Sequence, residues 1–253
     1  MTDFLTNKNV LVTGGGVGIG REISLELARA GARLAITYLS HEPDEELVLA
    51  IKEASGTELT AVKLDATSET DVRDVISDIG TRFGSIDVVV NNIGGLIQRS
   101  PIGQMDFALW NKVMAVNLDS VFLVTHHALP FMNTGWGRII NVASLAGHNG
   151  GHPGAVAYGT SKAAIFGFTR GLSKEVAALG ITVNAVAPGF IEATPFHDTF
   201  TTAESKAETI ASIPVQRAGT PADVAGAVAW LAAPQSSFVT GTTVNINGGQ
   251  YFA

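Results

Sequence analysis

No cysteine occurs among the 253 residues. That excludes a disulfide scaffold, thiolate zinc sites and a cysteine nucleophile. Basic residues are in deficit: 16 Lys and Arg stand against 23 Asp and Glu, a formal charge of −7. Such a balance argues against nucleic acid and anionic membrane surfaces as partners. No uninterrupted apolar run reaches the roughly 18 residues of a membrane span. The opening residues, Met1-Thr2-Asp3-Phe4, lack the basic and apolar regions of a signal peptide. A cytoplasmic protein without membrane contact is expected.

What the chain has is 46% hydrophobic residues and 28 glycines. A chain of this length buries enough surface to fold without staples. Neither linker, charge block nor repeat divides it, so residues 1–253 read as one domain. Short apolar strands alternate with longer helical patterns. Strands are expected at 9–13, 34–38, 59–64, 86–90, 138–142, 181–186 and 242–246. Helices are expected at 18–30, 44–54, 107–132, 157–178 and 223–233, with another capped by Ser68. The almost wholly apolar run Ile86–Val90 suits a parallel strand covered on both faces. The alternation predicts an α/β fold: a Rossmann-type, doubly wound parallel sheet of about seven strands flanked by helices. Residues 190–212 are less regular and read as a substrate lid.

The first strand runs into Thr13-Gly14-Gly15-Gly16-Val17-Gly18-Ile19-Gly20. Glycines between a strand and a helix allow a tight turn and let backbone N–H groups approach a pyrophosphate at a helix N-terminus. Asp65 and Asn91-Asn92-Ile93-Gly94 follow later strands, at the sheet edge where open α/β folds bind ligands. Each alone also suits an ordinary turn; their shared placement raises them.

Tyr158 and Lys162 stand four apart in an expected helix and so share a face. A phenol with a pKa near 10 is about one-thousandth ionised at pH 7. A cation about 4 Å away, at an effective dielectric near 20, supplies roughly 4 kcal/mol. The pair therefore points to a phenol made acidic enough for general acid–base chemistry. Ser144 follows the 138–142 strand and offers a hydroxyl to a substrate oxygen. The six histidines form no metal-ligand pattern, so no metal site is expected.

Together, Thr13-Gly14-x-x-x-Gly18-Ile19-Gly20, Asn91-Asn92-x-Gly94, Asn117, Ser144, Tyr158-x-x-x-Lys162 and Pro188-Gly189 resemble the short-chain dehydrogenase/reductase family, in its short single-domain branch. The likeness runs from Lys8 to Asn247-Gly248-Gly249. It implies a ketone reductase or alcohol dehydrogenase, in which hydride moves between nicotinamide and a carbonyl or secondary alcohol. It makes Tyr158 the acid–base and Ser144 the holder of the substrate oxygen. Lys162 lowers the tyrosine pKa and binds the nicotinamide ribose, and Asn117 holds a water of a proton relay. It implies cofactor contacts from Gly14, Gly18, Ile19, Gly20, Tyr38, Ser40, Asp65, Ala66, Asn92, Gly94, Tyr158, Lys162, Pro188, Gly189, Ile191 and Thr194. It also implies a homotetramer, with apolar helices at 107–132 and 157–178 for interfaces.

Three departures stand out. Ile93 replaces the usual alanine. The threonine expected after Pro188-Gly189 falls at Thr194, one place late. The end of the second strand carries Tyr38, not the usual acid, and Val17 holds a position often basic in NADP users. With Ser40 and His41 as phosphate partners, the reading favours NADP(H) over NAD(H). Several local strings resemble a branch that reduces uronate-derived keto sugars, which makes Arg99, His148 and His197 substrate candidates. 3-Oxoacyl thioesters are an alternative substrate class. A non-catalytic NAD(P)-binding regulatory protein is the alternative from another class.

Overall fold

A computed structural model of the chain describes residues 3–192 and 203–252. Seven strands are formed by β1 (Asn9–Val12), β2 (Arg33–Tyr38), β3 (Thr60–Lys63), β4 (Val88–Asn91), β5 (Gly137–Val142), β6 (Ile181–Pro188) and β7 (Thr243–Ile246). They lie in one sheet in the order β3-β2-β1-β4-β5-β6-β7, every pair parallel. Strand order reverses between β1 and β4, and such a switch point opens a crevice at the strands' carboxyl ends.

The strand sequences explain why helices cover both faces. Val10 and Val12 of β1, with Val88 and Val90 of β4, belong to one core cluster. Leu11 and Val89, one residue out of phase, belong to the other. On the first face lie α1 (Gly18–Arg29) and α2 (Glu45–Ser55), together with α9 (Pro221–Ala232). On the second lie α3 (Glu69–Phe83), α5 (Ser120–Ala128) and α7 (Val156–Val176). Helix starts follow local chemistry: Asp44, Ser68 and Thr220 each accept a backbone N–H of their helix's first turn. Arg138 is buried, its Cζ 4.4 Å from the Trp136 ring centroid.

Two regions differ from the expectation. The stretch 107–132 is not one α-helix. It comprises α4 (Phe107–Met114), a π-helical turn (Ala115–Asp119), α5 and a 3₁₀ turn (Leu129–Phe131). This 25-residue segment, Phe107–Phe131, meets the length and mean hydropathy of a membrane span, although polar residues interrupt its apolar run. Here it is a layer of the fold: α5 packs on α3 and β4, and Asn117 is fully buried within it. The second difference is in the irregular stretch near 190–212, where residues Ala203–Ser212 form a helix, α8. A further short helix, α6 (Ala146–Asn149), follows β5.

Candidate active site

The switch point opens into a cleft of about 920 Å³. One wall is the glycine loop. Gly14 and Gly18 take φ of +63° and +54°, a left-handed backbone that glycine adopts freely. A Cβ on Gly20 would run into the Gly14 carbonyl and stand 2.6 Å from Asn92 Nδ2. Val17, the N-cap of α1, supplies no side-chain cap to the helix's first N–H groups. The result is a close backbone cradle at a helix N-terminus, which fits the pyrophosphate of a dinucleotide.

The cradle is held from β4. Asn92 donates through Nδ2 to the carbonyls of Thr13 and Gly14, both at 3.1 Å, and its own N–H donates to Thr13 Oγ1 at 3.0 Å. Ile93 fills space beside the loop, with Cγ1 3.3 Å from where a Gly14 Cβ would stand. The departure at this position is thus absorbed by packing against a glycine. Asn91 is not a turn residue. It ends β4, buried, and donates to Asn141 Oδ1 at 2.8 Å and Thr125 Oγ1 at 3.0 Å. Asn141 in turn donates to Thr169 Oγ1 on α7 at 2.9 Å. This buried polar chain fastens α7 to the sheet.

Across the cleft, α7 presents Tyr158 and Lys162, and the segment after β5 presents Ser144. The Tyr158 hydroxyl is hydrogen-bonded to Ser144. Burial raises the Tyr158 phenol above its ordinary value, while the Ser144 hydrogen bond pulls the other way. This differs from the acidic phenol that an isolated Tyr–Lys pair predicts. The reason is geometric: Lys162 Nζ donates to the Val142 carbonyl at 2.9 Å and lies 5.9 Å from the tyrosine ring centroid. Desolvation lowers the Lys162 ammonium itself to about 8.

Asn117 sits in the π turn, and its amide closes a bidentate clamp on the loop after β4. Its Oδ1 accepts the Gly95 N–H at 2.9 Å, and its Nδ2 donates to the Gly95 carbonyl at 2.8 Å. Nδ2 also donates to the Val113 carbonyl at 2.9 Å, taking up a backbone acceptor near the π turn. A Cβ on Gly94 would stand 2.7 Å from Lys162 Nζ and 2.8 Å from Asn117 Oδ1. Gly94 is therefore required for close approach of the lysine, not for a turn conformation.

The cleft gathers Gly14, Gly18, Ile19, Gly20, Asn92, Gly94, Ser144, Tyr158, Lys162, Pro188, Gly189, Ile191 and Arg99. Tyr38, Ser40, Asp65 and Ala66 lie at or just beyond the carboxyl ends of β2 and β3, outside its walls. Asp65 Oδ1 accepts from the hydroxyl and N–H of Thr67, at 2.6 and 2.9 Å, and these bonds hold its carboxyl below the ordinary value. Thr194 and His197 lie outside the described residues, as does the middle of the expected lid. Of the described residues in that stretch, Phe190, Ile191, Thr209 and Ser212 border the cleft.

His148 does not face the cleft, which corrects its reading as a substrate residue. It is stacked between Phe166 and Tyr251, each ring centroid 4.3 Å away, because α6 turns it back onto α7. His152 and Asn149, close to it in the chain, border the cleft instead, as does Gln250. Asn149 and Gln250 fall within the strings that resemble the keto-sugar branch but are not among the candidate site residues, because a neutral amide by itself signals no chemistry.

Comparison with known proteins gives one consistent family. A family model described as enoyl-(acyl carrier protein) reductase matches residues 15–250. The 3-oxoacyl-[acyl-carrier-protein] reductase FabG of Staphylococcus epidermidis is 37% identical over 249 residues, 97% of this chain and 99% of that protein. Among solved structures, a short-chain dehydrogenase/reductase (glucose/ribitol dehydrogenase) from Brucella melitensis is 35% identical, with a TM-score of 0.89 and 100% of both chains covered. An NADH-dependent reductase responsible for alginate metabolism is 31% identical, with a TM-score of 0.89 and 98% and 99% covered. The chain belongs to the short-chain dehydrogenase/reductase family and is an oxidoreductase.

Proposed function

We propose that the chain is an NAD(P)(H)-dependent ketone reductase in which Tyr158 is the general acid–base. The observation that carries this is the Tyr158–Ser144 hydrogen bond in the wall of a cleft whose opposite wall is the glycine cradle. When bound in that cradle, the nicotinamide cofactor supplies the hydride for a carbonyl carbon or takes it from an alcohol.

The chain does the rest. Ser144 and Tyr158 offer two hydroxyls to one substrate oxygen and so fix the carbonyl. Tyr158 gives that oxygen its proton in reduction and takes it back in oxidation. A phenol held above its ordinary value is protonated at neutral pH, which suits it to the donor role. Lys162, protonated below about pH 8, places a positive charge beneath this pair and offers its N–H groups to the cofactor ribose. Asn117 sets the position of Lys162 through the Gly94-Gly95 loop and serves the proton relay. The intact hydroxyl pair and lysine disfavour a non-catalytic binding protein.

For the cofactor we favour NADP(H) over NAD(H), because no carboxylate ends β2 to repel a 2′-phosphate. For the substrate, Arg99 borders the cleft, exposed, with the Pro153 carbonyl as its hydrogen-bond acceptor at 3.4 Å. Among the described residues it has no carboxylate partner, so it suits a substrate carboxylate. That supports uronate-derived keto acids, in keeping with the relative of alginate metabolism. 3-Oxoacyl thioesters are the second reading, supported by the 37% identical reductases. The proposal includes one domain over 1–253 with a lid at about 190–212, a cytoplasmic location, and a homotetramer whose interfaces bury the exposed Phe107 and Phe122.

The test is a screen of absorbance at the reduced-nicotinamide band. It crosses both cofactors with keto-uronates, 3-oxo esters and cyclic ketones. Reduction of at least one class is expected, faster with NADPH; no reduction of any carbonyl with either cofactor defeats the assignment.

A further inference from the structure

The cleft carries a charge pattern that the proposed hydride and proton transfers do not explain. The chain has 23 Asp and Glu against 16 Lys and Arg. Yet among the described residues no Asp or Glu borders the cleft, while Arg99, His152 and Lys162 do. Lys162 is occupied, its Nζ donating to the Val142 carbonyl. Arg99 uses one of its five N–H donors, on the Pro153 carbonyl at 3.4 Å. Both Arg99 and His152 are exposed in the cleft wall, within reach of a ligand. A cleft with basic groups and no opposing acid attracts an anion.

Both side chains come from loops that are fastened together. His152 lies on the short connection between α6, which follows Ser144, and α7, which carries Tyr158. Arg99 lies on the segment after β4. Asn117 clamps that segment at Gly95, and farther on the Ser100 N–H donates to the Gly154 carbonyl at 3.0 Å. Between these anchors Ile97 takes φ of +63°, and the Gln98 N–H donates across it to the Leu96 carbonyl at 2.8 Å. This is a γ-turn of the strained hand, at a β-branched residue that ordinarily avoids a left-handed backbone. Such a conformation persists where its surroundings over-determine it. Gly154 lets the loops meet: a Cβ there would stand 3.3 Å from Arg99 Cβ and from the Ser100 nitrogen. Arg99 and His152 are therefore carried on a fixed edge of the cleft that holds both hydroxyls.

We propose that Arg99 and His152 form a two-loop clamp for a carboxylate of the ketone substrate, with His152 a specificity-determining residue beside Arg99. The proposal rests on the ketone-reductase reading and decides between its two substrate classes: keto acids over 3-oxoacyl thioesters, whose acyl end is uncharged. Arg99 gives the carboxylate paired N–H donors, and the His152 imidazole gives one more in either protonation state. A neutral ester or thioester of the same shape forfeits the charge-assisted bonds.

The experiment uses the full chain with cofactor and three oxo acids of increasing reach: pyruvate, 4-oxopentanoate and 5-oxohexanoate, each paired with its methyl ester. The N-acetylcysteamine thioester of 3-oxobutanoate stands for the neutral thioester class. kcat and KM are measured for the parent chain, Arg99→Met and His152→Leu, with thermal melts to confirm folding. The parent should prefer the acid in at least one pair and reduce that acid with higher kcat/KM than the thioester. Arg99→Met should cut the acid-over-ester preference about 10- to 100-fold, through the KM of the acid and not kcat, the worth of a hydrogen bond to a charged group. His152→Leu should cut it about 3- to 10-fold in the same way. A parent that reduces cyclic ketones but prefers the ester in every pair, or reduces none of these acids, overturns this inference and leaves the reductase reading in place. So does a preference unchanged in either folded variant. Absence of any ketone reduction by the parent chain overturns both.

Discussion

Lys162 is 3% exposed, and its nearest acceptor is a backbone carbonyl, not a carboxylate. Desolvation therefore holds its pKa at about 8. Between about pH 8 and the ordinary lysine value the unfolded chain binds more protons than the folded one. Stability thus rises with pH across that window, and the penalty is complete below it. Lys162→Met should accordingly raise stability by about 1–3 kcal/mol at pH 7, read by urea unfolding, while removing activity. An unchanged or lowered midpoint would refute the burial argument. The same titration sets cofactor affinity: the dissociation constant, measured by fluorescence, should rise as pH passes upward through about 8, and a flat profile would count against the lysine. Tyr158→Phe should leave cofactor affinity near that of the parent and lower turnover by two to four decades, roughly the worth of acid–base catalysis. Near-normal turnover would remove Tyr158 from the chemistry.

Among the elements, the interrupted helix between β4 and β5 does most to shape the site. A regular helix from Phe107 onward would rotate each later residue by the ordinary step. The π turn at Ala115–Asp119 adds a residue to the ring and places the Asn117 amide against Gly95. The π turn, Gly94 and Lys162 then meet so closely that no methyl fits between them. Gly94→Ala should lower kcat/KM about 10- to 100-fold and cost about 1–3 kcal/mol of stability through overpacking. Activity and melting temperature both equal to the parent's would show that the cluster yields freely. The capped helices are less distinctive but partly legible: Ser68 is a cap in the structure as its residue type suggests, and Asp44, read as the first residue of its helix, is the cap just before it. The π turn was not legible, because a one-residue bulge leaves no break in an apolar pattern. Helix α8 was missed for a related reason, its polar run carrying little periodicity.

At the scale of the whole molecule, the exposed aromatics decide what remains to be tested. Phe107 and Phe122, on α4 and α5, are 76% and 51% exposed. Burying both in a subunit interface is the reason for the proposed homotetramer. Sedimentation should show a four-chain particle, and Phe107→Asp combined with Phe122→Asp should shift it to smaller species. A monomer for the parent chain would defeat the assembly. The fold itself was readable in outline. Seven apolar runs separated by amphipathic helices specify a parallel, doubly wound sheet, since only covered faces accommodate strands apolar on both sides. The glycine loop and Ser144 were readable from their placement after strands, and Tyr158 and Lys162 from their spacing on one helix face. Local pattern by itself determined those features, because periodicity, caps and glycine placement act over a few residues. The tertiary structure alone decided that His148 turns from the cleft into a ring stack while Gln250 turns toward it. It alone decided that burial, not the neighbouring cation, governs the tyrosine. Those outcomes depend on desolvation and on contacts between segments far apart in the chain, which no local spacing encodes.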